Sequence, residues 1–444
     1  MMLRTDQSAA STVETAATVS VHRAQYDIGG HRPRQVSRSG SVVVGGEAAP
    51  PVSVTLRVSP GMRVVSSTRY APPAMERFDV VIVGGGPMGT AAARALSARG
   101  RSVVLLERFT IGHANGSTAG ATRNFRLTYH DPVYVRMARR SLERWRELED
   151  EAGTELMRVV GGLDVGAATE ASARALEGAG ERFERPSDAE VAERWPMLRF
   201  PLGSSFVYQP DGAILRSHEA VLALARLAAK HGAELREETA TQSITPGDEG
   251  VEVRASDGAT IQAPVAIVAA GAWTGPLLGA AGSPLALRPT LEQSTYLSVD
   301  AQDLPTVIDW DETPSQPPYI VPDPFQPGEI KAGAHLSGPV VDPDSRSFQP
   351  DEERETRVID WVGRRLVPVA RRLRTETCLY TVTPDEDFVI DRVGSLVIAS
   401  PCSGHGFKFT PLIGEVLADL ATGESTEVPL ERFRADRPSL RLRT

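Results

Sequence analysis

The chain has 444 residues, 41% hydrophobic and 24% charged, with a formal net charge of −9. That length accommodates two or three domains, and the composition can bury a core. The acidic balance excludes a nucleic-acid binder, which wants a basic face. The longest apolar run, Ala263 to Trp273, is far short of the ~20 residues of a membrane span.

In chain order, residues 1–74 read as a disordered N-terminal extension. They carry eight arginines against four acids and show no sustained helical or strand period. Ser41 to Gly46 imitates a strand and turn but leads into no amphipathic helix, so it reads as a decoy. The folded part is expected to open at Met75. Asp79 to Val83 is a continuous apolar run, as in a strand buried on both faces of a parallel sheet. A glycine-rich turn, an Ala-rich helix from Thr90 to Arg99 and a second strand, Ser102 to Leu106, complete a βαβ unit ending at Glu107.

Helical periods follow at Arg136 to Ala152 and Ser217 to His231, and strand-like stretches at Leu163 to Val165, Ser204 to Tyr208 and Val251 to Arg254. Gln262 to Ala270 reads as one buried strand running into Gly271. A further helix is expected near Pro350 to Leu366. A last buried strand, Leu396 to Ala399, leads into a glycine-bearing loop and a helix from about Pro411 to Ala421. The pattern is a parallel nucleotide-binding domain interleaved with a mostly antiparallel one.

Gly84, Gly86 and Gly89 form a G-x-G-x-x-G between strand and helix. The first glycine makes the tight turn, the second lets backbone approach a pyrophosphate, and the third packs helix against strand. The pyrophosphate sits on the helix N-terminus. Glu107 stands where a carboxylate accepts hydrogen bonds from a ribose diol. These features do not separate FAD from NAD. Two cysteines, Cys378 and Cys402, are too few for a disulfide framework, which favours a reducing, cytoplasmic setting. The eight histidines form no metal-binding motif, so no metal is expected. Of the 48 basic residues only Lys230, Lys331 and Lys408 are lysines, which draws attention to the last two.

Four segments carry a family resemblance: Gly116 to Tyr129, Lys331-Ala332-Gly333-Ala334-His335, Thr377-Cys378-Leu379-Tyr380-Thr381, and Ser403-Gly404-His405-Gly406-Phe407-Lys408-Phe409. In order and spacing the chain from Phe78 onward resembles the monomeric sarcosine oxidases and N-methyltryptophan oxidases. The resemblance implies a glutathione-reductase-like FAD-binding domain (75–160, 215–285 and 376–444) interleaved with a mostly antiparallel β-sheet substrate domain (161–214 and 286–375). It implies FAD bonded through its 8α-methyl group to Cys378, with Gly271, Gly404 and Gly406 joining the glycine loop at the cofactor. A tether of this kind needs a thiolate, so a positive neighbour is expected to lower the Cys378 pKa. Cys402 is expected to be structural.

Arg126 and Lys408 match the pair that holds a substrate carboxylate, by a planar fork and a point charge. Arg123 matches a flavin-facing arginine, and Lys331 the oxygen-activating lysine, whose ammonium stabilises the anion formed when O₂ gains an electron. Tyr129, His335 and Tyr380 match polar groups lining the amine pocket. The helix from Pro411 is expected to aim its positive end at the flavin pyrimidine. Thr118, Ala119 and Ala121 depart from a Ser-His-His-Gly-like stretch and its aspartate in the family. The implied activity is oxidation of a neutral N-alkyl amino acid, such as sarcosine, by hydride transfer to flavin, imine hydrolysis and release of hydrogen peroxide. The expected partners are a small amine and O₂, with no nucleic acid or membrane, acting on a monomer. The alternatives are an oxidase of a cyclic or aromatic amino acid or biosynthetic imine precursor, a dehydrogenase with a non-oxygen acceptor, and a non-catalytic flavoprotein.

Overall fold

The computed structural model describes residues 75–300, 303–368 and 371–442, and the backbone of two short strands nearer the N-terminus. Those two strands, Ala16–Ser20 and Ser39–Val43, pair antiparallel. The stretch expected to be a decoy therefore does form a strand, in a ribbon rather than a nucleotide-binding unit. The rest of the expected disordered extension lies outside the described residues.

From Met75 onward two large sheets carry the helices, a small meander and a further three-stranded sheet. Six strands form the first sheet, in the order Glu234–Arg236, Val103–Leu106, Val80–Val83, Val265–Val268, Leu396–Ser400 and Val389–Val393. All neighbours run parallel except the last pair. Alternation explains the continuous apolar runs. Val80, Ile82, Val103, Leu105, Val265 and Ile267 pack with Ala91, Leu96, Leu224 and Leu417 of the helices Pro87–Ala98, Ser217–Lys230 and Thr410–Thr422. Val81, Val83, Val104, Leu106, Ala266 and Val268 turn the other way, onto Ile244, Val253 and Ile261 of the meander Thr241–Gly247, Gly250–Ala255 and Thr260–Ala263. Both faces of Val80–Val83, Val103–Leu106 and Val265–Val268 are dry, so polar residues have no place in these central strands.

The single strand expected from Gln262 to Ala270 is in fact two. Thr260–Ala263 belongs to the meander and Val265–Val268 to the parallel sheet, with Pro264 between them. Proline has no N–H for a ladder, so the chain changes sheets there.

Seven strands form the second sheet: Arg371–Val382, Arg288–Ser298, Glu329–Ala334, Pro318–Pro322, Thr306–Asp309, Gly162–Val165 and Phe206–Gln209. Only Thr306–Asp309 and Gly162–Val165 run parallel. The helix Glu352–Arg365 buries Val358, Trp361 and Val362 against Leu297, Ile320 and Ile330 of this sheet. The domain boundary expected at 376 falls inside the strand Arg371–Val382, which carries Cys378 and Tyr380 into this sheet. A third sheet, Thr122–Phe125, Ala213–Arg216 and Met157–Val159, holds Arg123. The long helix begins at Pro132, four residues before the expected start, because Asp131 accepts the Val133 N–H as its cap. Two helices, Thr169–Gly178 and Asp188–Arg194, were not expected. The second carries a capping box of Ser187 and Glu190 that a closer reading of the sequence exposes.

Candidate active site

A cavity of about 610 Å³ opens at the C-terminal ends of four strands of the parallel sheet and runs on to the seven-stranded sheet. At one end lie Gly84, Gly86 and Gly271. Gly84 has φ +107°, and a Cβ there would meet the Ala269 carbonyl oxygen at 2.5 Å. A Cβ on Gly89 would stand 1.8 Å from the Gly84 carbonyl oxygen, so Gly89 packs the helix and does not line the cavity. A Cβ on Gly86 meets nothing within 4 Å. The helix starting at Pro87 has no side-chain cap and no acid in its first turn, leaving its N–H groups to an anion.

Glu107 is buried at the end of its strand. It accepts the Gly85 N–H at 2.6 Å and the Phe109 N–H at 2.8 Å, with His113 Nε2 at 3.3 Å. Burial pushes its pKa up, but His113 and the two N–H groups outweigh that and hold it below the ordinary carboxylate value. Open space at Gly86, uncapped N–H groups and an ionised acid at the next strand end fit the pyrophosphate and ribose of a dinucleotide.

Midway along the cavity, three strands bring Arg123, Lys331 and Cys378 together. Arg123 donates to the carbonyls of Thr122 (2.8 Å), Ser117 (2.9 Å) and Ala119 (2.5 Å). The Lys331 ammonium donates to the Thr122 carbonyl at 2.5 Å. Burial first, then Arg123, lower its pKa from 10.5 to about 7. Cys378 faces the cavity and pairs across the sheet with Glu292, a buried carboxylate held by Thr290 and by the N–H groups of Ser337 and Gly338. The expected lowering of the Cys378 pKa is overturned. Burial raises it, and the pull of Arg123 and Lys331 is insufficient to reverse that, with Glu292 adding to the rise.

At the far end are Arg126, Lys408, His335 and Tyr380. Arg126 donates to the Thr128 carbonyl and lies over the Tyr129 ring at 4.4 Å and the Trp310 ring at 6.0 Å. Trp310 is pinned by its Nε1–H to Asp164 at 3.1 Å. Lys408 donates to the His405 carbonyl at 2.6 Å and the Tyr129 hydroxyl at 2.9 Å. Its own carbonyl accepts from Ser141 (2.6 Å) and Trp145 (2.7 Å) of the long helix, which fixes where the ammonium emerges. Burial and then Arg126 push the Lys408 pKa well down. His335 falls to about 3, through burial and then Arg126 and Lys408, so its imidazole is neutral. Its ring lies 5.7 Å from that of Tyr380.

Tyr129 departs from expectation. It lies behind Lys408 rather than on the cavity wall, its hydroxyl linking that ammonium to His405 Nδ1 at 3.2 Å. All the other expected site residues except Gly89 border the cavity: Gly84, Gly86, Glu107, Arg123, Arg126, Gly271, Lys331, His335, Cys378, Tyr380, Gly404, Gly406 and Lys408. Cys402 borders it too, its sulfur accepting the Thr381 N–H at 3.2 Å. Sequence reasoning missed Glu292, Trp310 and Tyr319, which no local motif marks. It also passed over His405, which sits inside a motif already singled out.

A glycine loop for a dinucleotide, continuous with a cationic pocket, is the arrangement of a dinucleotide-dependent oxidoreductase acting on an anionic substrate. Residues 79–420 match the family described as DAO, FAD dependent oxidoreductase, and the chain belongs to that family, in the group of monomeric sarcosine oxidases and N-methyltryptophan oxidases. It is 32% identical to a monomeric sarcosine oxidase of Bacillus sp. over 82% of this chain and 97% of the relative. Identity to an N-methyl-L-tryptophan oxidase of Yersinia pestis is 27%, over 80% and 98% of the two chains. Among solved structures, NikD, described as an unusual amino acid oxidase essential for nikkomycin biosynthesis, aligns with a TM-score of 0.74 at 28% identity, over 81% of this chain and 98% of that one.

Proposed function

We propose that the protein oxidises secondary amines, sarcosine or another N-alkyl amino acid, and reduces O₂ to hydrogen peroxide. The observation that carries this reading is the convergence of Arg126 and Lys408 on the cavity that Lys331 and Cys378 also border. Arg126 and Lys408 bind the carboxylate and thereby set the amine-bearing carbon in one place. Arg123 and Arg126, with the amines of Lys331 and Lys408 beside them, disfavour an ammonium, so the amine enters as its neutral form, which is the form able to give up hydride. His335 and Tyr380 border the amine as uncharged groups. The glycine loop, Glu107 and Cys378 would hold FAD, which when bound would supply the electron acceptor for the carbon next to nitrogen and the electron donor for O₂. The Lys331 ammonium supports the negative charge that develops on O₂, which favours an oxidase over a dehydrogenase. The imine product leaves to hydrolyse, giving glycine and formaldehyde if the substrate is sarcosine.

A second reading, a cyclic or aromatic amino acid as substrate, is favoured by the wall beside Arg126. Trp310 borders the cavity there, where the side chain of a carboxylate-anchored amino acid would lie, and Ile308, Pro317 and Val321 add apolar surface elsewhere on its wall. No helix among the described residues is long and apolar enough to cross a membrane, and the reading includes a cytoplasmic monomer. Peroxide release across N-methyl, cyclic and aromatic amino acids tests both. Sarcosine turned over best supports the first reading and a bulky substrate the second. Amine-dependent reduction of a dye without peroxide would overturn the oxidase.

A further inference from the structure

Arg346 belongs to the segment between the strand Glu329–Ala334 and the helix Glu352–Arg365, outside every motif singled out above. It is only 7% exposed, yet its Nε and Nη1 have no hydrogen-bond partner. Its Nη2 donates to the Asn115 carbonyl at 2.8 Å, and the guanidinium lies over the Phe348 ring at 4.2 Å. Two residues earlier, Asp344 accepts from Arg108 Nη1 at 2.6 Å and Trp273 Nε1 at 2.9 Å, which pins the segment across the nucleotide end of the cavity. A guanidinium stays charged at any pH the fold survives, and a buried cation without an anion is unfavourable.

The loop that Arg346 holds leads toward one group able to become the missing anion. Gly116, next to Asn115, accepts the Leu379 N–H at 3.4 Å. Arg346 and Cys378 thus flank the same short loop, Arg346 through Asn115 and Cys378 through its neighbour Leu379, and a charge on Cys378 would raise the Arg346 pKa against the lowering by burial. Cys378 becomes an anion only when the thiol ionises, which its burial opposes.

We propose that Arg346 is a positioning residue for flavin attachment, holding Cys378 as a thiolate while the tether forms. This rests on the reading of Cys378 as the attachment point. In the step, Cys378 loses its thiol proton and the 8α-methyl group of FAD loses one proton. The Sγ–C8α bond forms, and the two electrons released enter the flavin ring. Dioxygen then takes these two electrons with two protons, leaving as hydrogen peroxide and returning the tethered flavin to its oxidised state.

The test uses full-length apoprotein from riboflavin-starved cells, mixed with FAD from about pH 6 to about pH 9. Fluorescence quenching reads non-covalent binding, and flavin retained after acid precipitation reads the tether. Arg346→Met is expected to bind FAD as the parent does but to incorporate it about tenfold more slowly at neutral pH, with the gap closing as pH rises and the thiol, still facing Arg123 and Lys331, ionises without Arg346. Arg346→Lys is expected to restore most of the rate. Parent-like incorporation in Arg346→Met at every pH, or an equal deficit at every pH, overturns the proposal. Should Arg346→Met not bind FAD, Arg346→Gln, which keeps a donor for Asn115 without charge, is read by the same criteria. If the parent itself releases all its flavin on precipitation, the tether reading fails first and the proposal falls with it. Cys378→Ser marks that baseline.

Discussion

Lys331→Met separates the structural disadvantage of a buried ammonium from its use. The folded protein holds the Lys331 pKa at about 7, against 10.5 for an ordinary lysine. At about 1.4 kcal/mol per pH unit this is a penalty on the order of 5 kcal/mol. The sign follows from proton counting. Between pH 7 and 10.5 the unfolded chain binds a proton at this site that the folded chain does not, so stability rises with pH through that window. Below pH 7 the penalty is complete. Methionine has similar reach and no charge, and it forfeits the hydrogen bond to Thr122, worth about 1 kcal/mol. Flavin-free Lys331→Met is therefore expected to be about 4 kcal/mol more stable than the parent near pH 6, the gap shrinking as pH approaches 10. Urea unfolding of both proteins across that range measures it. A variant no more stable at pH 6, or a gap independent of pH, refutes the reasoning. In the flavin-loaded enzyme the same variant is expected to leave anaerobic reduction by substrate intact and slow reoxidation by O₂ about a hundredfold.

The two glycines of the loop are expected to part company: Gly89→Ala drives a methyl into the Gly84 carbonyl and abolishes folding, whereas Gly86→Val folds and loses FAD, as thermal melts and flavin absorbance will show. Arg126→Gln is expected to weaken a competing carboxylate ligand about 10- to 100-fold, the worth of a charge-assisted pair, in equilibrium titration. Substrate reduction of the flavin is expected to rise from about pH 7 to about pH 9 as the neutral amine accumulates, while reoxidation, which uses the Lys331 ammonium, does not rise with it; a reduction profile peaking below about pH 6.5 contradicts this. Under the bulky-substrate reading, Trp310→Ala lowers kcat/KM for an aromatic amino acid about tenfold or more and leaves sarcosine nearly unchanged, since only the former buries apolar surface there.

What could be read from the residues in order was whatever depends on near neighbours in sequence. The glycine loop, its flanking strands and Glu107 lie within thirty residues, and their packing follows from local sterics. The split at Pro264 was open to the same reasoning, since a proline inside an apparent central strand is itself the signal. The environment of Cys378 was not. It depends on Glu292 standing opposite in a register set by strands far apart in sequence, and on Arg123 and Lys331 arriving from two other strands. A positive neighbour for the thiol was foreseen, but its net effect depends on burial, which no motif records. Tyr129 was placed on the wall for the same reason. Its neighbour Lys408 lies 279 residues away, and only the fold shows that the hydroxyl sits behind the ammonium.

The way the basic side chains are held explains how the site keeps its positive potential, standing at Arg123 and Arg126 and available at Lys331 and Lys408 when an anion draws a proton to them. Over the surface, arginines meet carboxylates, as Arg94 meets Glu415 and Arg437 meets Asp385, and the charges cancel. In the cavity the partners are neutral backbone oxygens: Thr122, Ser117 and Ala119 for Arg123, Thr122 for Lys331, Thr128 for Arg126 and His405 for Lys408. A carbonyl satisfies the donor and fixes its direction without neutralising it. The positive potential is therefore left for anions that arrive from outside: a carboxylate at one end, the charge that forms on O₂ in the middle. Introducing a carboxylate beside one of these donors is expected to damage the site even though every donor stays in place, because it cancels the field that the carbonyls leave intact.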